Sequence, residues 1–81
     1  MNVSVKFFAL ARQQAGCEAM SLSLQDGITV AQFRAQLAAE VPALAEVLSH
    51  AMIAVNQQYA SNDLAIAADS ELAIIPPVSG G

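Results

Sequence analysis

Few side chains in this sequence could carry out a reaction. There is one cysteine, Cys17, and one histidine, His50, among 81 residues. A metal centre needs three or four donors at recognisable spacing, and one imidazole and one thiol do not supply that set. Cys17 stands between Gly16 and Glu18; an acidic neighbour disfavours the thiolate that a nucleophile or metal ligand requires. It reads as an ordinary packed or half-exposed thiol, and His50 as a surface or capping residue. The seven carboxylates are scattered, and no local spacing forces two of them together for acid–base work. No glycine-rich phosphate loop, nucleophile elbow or serine–histidine–acid set is present. With so little room to enclose a substrate, the chain is not expected to be an enzyme on its own.

The remaining reactive feature is the last hexapeptide, Pro76-Pro77-Val78-Ser79-Gly80-Gly81. Proline lacks a ladder N–H and pushes the residue before it to extended geometry, so a strand cannot continue through this pair. Six extended residues reach roughly 20 Å from the body. Gly80 and Gly81 carry no side chain, so the end of the chain can thread a narrow channel and present a carboxylate inside another protein. On that reading the reactive group is the main-chain carboxyl of Gly81. A carboxylate is a poor electrophile, so a partner would have to adenylate it with ATP. A sulfur nucleophile could then displace the adenylate and leave a thiocarboxylate.

The elements that must hold such an end are legible from periodicity. Val3, Val5 and Phe7 alternate with Ser4 and Lys6 across Asn2–Phe8, the pattern of a half-buried strand. Ala9–Ala15 predicts a short helix or turn, stopped by Gly16. Glu18–Leu24 alternates again, with Met20, Leu22 and Leu24 on one face, and Asp26-Gly27 ends it as a turn. The first two strands can pair antiparallel. Thr29 and Gln32 stand three apart as a capping box, and Val30, Phe33, Leu37 and Val41 follow at helical spacing. Pro42 ends or kinks that helix, and Ala43–Leu48 predicts one further turn. Met52–Val55 reads as a strand, Asn56-Gln57 as a turn, and Gln58–Ala60 as a segment pairing back. Ser61–Asp63 is loop chemistry, Leu64 and Ile66 suggest a small strand or tight turn, and Glu71–Ile75 is the last strand. The class is α+β: a mixed sheet with one main amphipathic helix across one face, the element order of a ubiquitin-like β-grasp fold. Residues 1–75 are expected to form that domain and residues 76–81 an extended diglycine tail.

Composition narrows the partners. The chain is 56% hydrophobic and 12% charged, with 3 basic and 7 acidic residues and a net charge of −4. Three dispersed cations cannot neutralise a row of phosphates, which excludes nucleic acid. The longest apolar runs, Phe7–Ala11, Ala51–Val55 and Leu64–Ala68, fall far below the roughly twenty residues of a spanning helix, so no membrane association is expected. No secretory signal is recognisable, and a lone thiol suits a reducing compartment, so the chain is expected to be cytoplasmic.

The terminal hexapeptide resembles the signature of the small subunit of molybdopterin synthase, a family of ubiquitin-like sulfur carriers. The resemblance extends to Phe7-Phe8-Ala9 with Arg12, to Ala54-Val55-Asn56-Gln57 with Tyr59, and to Glu71-Leu72-Ala73-Ile74-Ile75. One departure is Ala68-Asp69-Ser70, where the family commonly has Asp-Gly-Asp; it concerns the turn type and not the tail. The resemblance implies a cycle. An E1-like adenylyltransferase would activate Gly81 with ATP, a sulfur donor protein would supply the thiocarboxylate, and the large catalytic subunit would receive the tail. There sulfur would pass to cyclic pyranopterin monophosphate to build the dithiolene of molybdopterin. The small subunit would bind no cofactor or metal of its own, and the family implies an assembly of two small and two large subunits. Gly81 would hold the sulfur, Gly80 would give the narrow passage, and Pro76, Pro77, Val78 and Ser79 would line the route.

Phe8 and Ile75 fall opposite the main core phase of their strands, and Val78 lies on the tail. Together they are candidates for a partner-binding patch; the alternative for Phe8 and Ile75 is a core position where twist resets the phase. An acidic carrier would also suit a positively charged partner pocket. Two other readings share the fold and the diglycine end. A thiamin-type sulfur carrier is disfavoured by Pro-Pro-Val-Ser before the glycines, and a ubiquitin-like modifier would join Gly81 to lysines of target proteins.

Overall fold

The computed structural model describes residues 1–77. Its elements are β1 (Asn2–Phe7), α1 (Ala9–Ala15), β2 (Ala19–Ser23), α2 (Val30–Glu40), a 3-10 turn (Pro42–Leu44), α3 (Ala45–His50), β3 (Met52–Val55), β4 (Gln58–Tyr59) and β5 (Glu71–Ile75). The expected alternation of β1 is realised: Val3, Val5 and Phe7 are buried while Asn2, Ser4 and Lys6 are exposed. Gly16 adopts φ 75° and closes α1 with its N–H donating to the Arg12 carbonyl at 3.0 Å, the left-handed stop for which glycine is suited. The Thr29–Gln32 capping box forms in both directions, Gln32 N to Thr29 Oγ1 at 3.3 Å and Thr29 N to Gln32 Oε1 at 2.9 Å. Val30, Phe33 and Leu37 then turn one stripe of α2 into the core, all fully buried.

The five strands run in the order β2-β1-β5-β3-β4. The last strand to be made is therefore the middle one. β5 pairs parallel with β1 (Val5 opposite Leu72, Phe7 opposite Ile74) and antiparallel with β3 (Ile53 opposite Ile74). Leu72 and Ile74 are buried with Val5, Phe7 and Ile53 against Phe33, Leu37, Leu44 and Leu48, so the helices cover one face of a mixed sheet. This is the α+β, β-grasp arrangement that the element order implied.

Two segments differ from the sequence expectation. Beyond Pro42 there is more than one further turn: the 3-10 turn leads into α3, which extends to His50. Leu44, Val47 and Leu48 stand at i, i+3 and i+4, and their burial rewards continued helix. Leu64–Ile66 is no strand. It makes a single bridge, Thr29 to Ala65, flanked by Val30 N to Leu64 O at 3.0 Å and Ile66 N to Ile28 O at 2.8 Å. The segment is held by the lead-in of α2, and it places Ile66 in the core.

The turns obey local chemistry. Asn56 and Gln57 adopt φ 51° and 71°, the paired left-handed geometry of a two-residue hairpin. Asn56 also holds the start of β5: its N–H donates to the Glu71 carbonyl at 2.8 Å, and its Oδ1 accepts from Glu71 N at 2.9 Å. At the position of the Asp-Gly-Asp departure, Asp69 itself takes φ 62°. Aspartate tolerates the left-handed region better than most residues, and Ser70 Oγ donates to the Ala67 carbonyl at 2.6 Å.

One polar side chain ties three segments together. Arg34 on α2 donates through Nη1 to the Leu48 and Ala51 carbonyls, both at 2.7 Å, and through Nε to Asn62 Oδ1 at 2.9 Å. It thereby satisfies the orphan carbonyls at the end of α3. Burial lowers the pKa of the guanidinium, a small matter for a group that is effectively always charged. Arg34→Met should lower unfolding free energy by about 1.5–3 kcal/mol, the range for hydrogen bonds to a charged group. Arg34→Lys should recover only part of that loss, because one compact ammonium cannot span the three acceptors. Urea denaturation of the two variants measures both effects.

Candidate functional site

The sheet order decides where the tail begins. Because β5 is central, its C-terminal end emerges between the end of β1 and the start of β3. Phe8 N–H donates to the Ile74 carbonyl at 3.3 Å, and Met52 lies directly opposite Ile75. Pro76 is half-buried and Pro77 exposed, so the chain leaves the body at the prolines, as the missing ladder donor requires. The positions expected to carry the chemistry and its passage, Val78, Ser79, Gly80 and Gly81, lie outside the described residues.

Two surfaces flank this root. On the uncovered face of the sheet, Lys6 and Phe8 lie beside Ala73 and Ile75, with Ala54 and Tyr59 continuing the patch across β3 and β4. Phe8 is 48% exposed and Tyr59 67%. Lys6 Nζ pairs with Glu71 Oε2 at 3.3 Å across the same face. Phe8 and Ile75 are thus brought together at the surface, Phe8 exposed and Ile75 half-buried; neither belongs to the core. Phe8, still extended, continues the alternation of β1 and so falls on the exposed face with Ser4 and Lys6; the turn comes one residue later. Ala9 takes φ 51°, a left-handed geometry that is strained for a residue with a Cβ. It turns the chain off the strand and into α1.

On the other side, α1 and α3 form a groove whose wall includes Pro76 and Pro77. Leu10, Ala43 and Val47 are apolar members of its lining, and Glu46 and His50 line it too. Sequence reasoning missed this surface, since no local pattern joins Leu10 to Val47 or to Pro76. A signal existed at Leu10, an apolar residue one position from the buried phase of a short helix. His50 is brought to the tail root, whereas Cys17 is exposed just beyond the other end of α1, next to an Arg12–Glu18 ion pair at 3.6 Å. No group of three or more metal-ligating side chains occurs among the described residues. No helix among them is long and apolar enough to cross a membrane.

Residues 5–81 match the sequence pattern of the ThiS family. The chain belongs to that family. Among ThiS-family relatives, it is 37% identical over 83 residues to a molybdopterin synthase sulfur carrier subunit of Chlamydomonas reinhardtii, covering 100% of both chains. It is 35% identical over 81 residues to the protein of the same name in Arabidopsis thaliana, covering 100% of this chain and 84% of that one. Its fold superposes on the crystal structure of SAMP1 from Haloferax volcanii with a TM-score of 0.87 at 30% identity, over 100% of both chains. A chain in a protein–protein complex of subunits 1 and 2 of molybdopterin-converting factor from Helicobacter pylori shares the fold at 24% identity, TM-score 0.71, again over 100% of both chains.

The adjacent phenylalanines test the assignment of surface and core in this ThiS-family domain. Phe7→Ala should cost about 3–5 kcal/mol, the range for emptying a buried aromatic site. Phe8→Ala should stay within about 0.5 kcal/mol, as surface substitutions do. Chemical denaturation of the two variants distinguishes them.

Proposed function

We propose that this chain is the sulfur-carrying small subunit of molybdopterin synthase and acts through the carboxyl group of Gly81. The observation that carries the reading is the full-length match to relatives bearing that name, with the tail included. The described geometry supports it. A body without a catalytic constellation among its described residues has a tail rooted at the centre of its sheet, beside an apolar patch of Phe8 and Ile75.

The chemistry follows from the end group. The Gly81 carboxylate attacks the α-phosphorus of ATP bound by an E1-like adenylyltransferase; pyrophosphate leaves and an acyl-adenylate forms. A hydrosulfide equivalent from a sulfur donor protein attacks the carbonyl carbon, and AMP leaves with the former carboxylate oxygen. The thiocarboxylate enters the large subunit and gives its sulfur to cyclic pyranopterin monophosphate. Catalytic side chains belong to the partners, so the chain is a substrate-like subunit and not an enzyme. It binds neither cofactor nor metal, and ATP is consumed by the activating partner. Pro76, Pro77, Val78 and Ser79 fit the entrance of the channel, Gly80 its narrowest part, and Phe8 and Ile75 the partner's surface around it. A cytoplasmic location suits an exposed lone thiol.

A second reading, a protein modifier joined through Gly81 to lysines of other proteins, is favoured by the likeness to SAMP1. Deleting Gly81 should abolish molybdopterin formation with the large subunit and leave the unfolding curve unchanged. Intact mass after ATP, activating enzyme and sulfide should show one oxygen exchanged for sulfur. A truncated chain that still supports molybdopterin formation would sink the carrier reading. Isopeptide-linked conjugates in cell extract, without the exchanged species, would favour the modifier.

A further inference from the structure

The sheet-face patch accounts for only one side of the tail root. We infer that the groove between α1 and α3 is a second contact for the large subunit, taking an aliphatic ridge that carries a lysine or arginine at the mouth of its tail channel. This rests on the carrier reading above and adds a surface and an occupant to it.

Position supplies the first argument. In the carrier reading the large subunit receives the chain beyond Pro77. Both Pro76 and Pro77 line the groove, so a partner that takes the tail meets the groove at the tail's root.

The shape and lining of the groove supply the second. It encloses about 600 Å³. Leu10 is 47% exposed, and it shares the lining with Ala9, Ala43 and Val47. Such an uncovered aliphatic side chain gains most when a matching apolar surface removes it from water. The groove is also built in advance. The left-handed turn at Ala9 sets Leu10, and Arg34 fixes the end of α3 through the Leu48 and Ala51 carbonyls. A preformed site does not lose ordering entropy on binding.

Charge identifies the occupant. Glu46 is the charged residue of the groove lining, and the chain carries a net −4. Its three cations are placed elsewhere: Lys6 with Glu71, Arg12 with Glu18, and Arg34 under α3. A second copy carries the same net −4, which opposes association. A partner ridge with a cation opposite Glu46 complements it.

The test uses full-length carrier with purified large subunit. Leu10→Asp and Ala43→Arg both alter exposed positions, and circular dichroism verifies their folds. Titration calorimetry should show the dissociation constant for the large subunit raised about tenfold or more in each, as for a buried interface anchor. Thiocarboxylate formation by the activating enzyme should be unchanged. Glu46→Lys should slow association and weaken its dependence on salt. Wild-type affinity in both Leu10→Asp and Ala43→Arg would overturn the inference, as would an equal loss in the activation step, which would remove the large subunit as the specific occupant. If the unmodified chain neither binds the large subunit nor accepts sulfur, the carrier reading fails first, and the two failures are told apart.

Discussion

The structure depends on β5 lying in the interior of the sheet. Pairing with β1 on one side and β3 on the other buries Leu72 and Ile74 completely, so the strand nearest the C-terminus is among the most constrained parts of the molecule. A strand at a sheet edge has a ladder on one side only and is correspondingly easier to displace. Here the point of departure, Pro76, is set by two ladders and by the core beneath them. A short tail can present its end group reproducibly only if its root does not move.

That constraint suits a domain of this size to act through its main chain. In the carrier reading, the reactive atom belongs to the main chain, and binding energy comes from surfaces around the root. The fold separates these tasks. Phe33, Leu37, Leu44 and Ile53 hold the body, Phe8 and Ile75 remain on the uncovered sheet face, and Leu10 and Val47 border the groove on the helical side. The high apolar content of the sequence is thus divided between a thin core and two surfaces beside the exit. Strain at Ala9 sits where these regions meet, turning the chain from the sheet face at Phe8 toward the groove at Leu10. Strained backbone geometry is commonly found at functional sites, held there by the surrounding structure.

Much of this was legible residue by residue. Alternation at Val3, Val5 and Phe7 identified a strand and its buried face. Thr29 and Gln32 marked the start of α2, Gly16 the end of α1, and Asn56-Gln57 a tight hairpin, because each of these signals acts through hydrogen bonds or dihedral preferences within a few residues. The phase of Phe8 and Ile75 left surface and core both open, and only the structure put Phe8 out and Ile75 half-buried on the uncovered sheet face. The reading fell short where distant partners decide. The continuation of α3 to His50 depends on pockets for Val47 and Leu48 and on Arg34, 14 and 17 residues upstream of the carbonyls it binds. Leu64 and Ile66 suggested a small strand or tight turn, but their hydrogen bonds go to the lead-in of α2.

Sequence alone determined β1, β2, α2 and β5 and the proline stop ahead of two glycines, since these follow from side-chain period and backbone sterics along a continuous stretch. Tertiary structure decided the order of the strands, and with it everything that surrounds the exit. Phe8, Met52 and Ile75 are far apart in the chain, as are Leu10, Val47 and Pro76; they meet because β5 inserts between β1 and β3. Strand pairing of that kind is stabilised by cross-strand and cross-layer contacts between segments distant in sequence, and no local window of residues contains both partners.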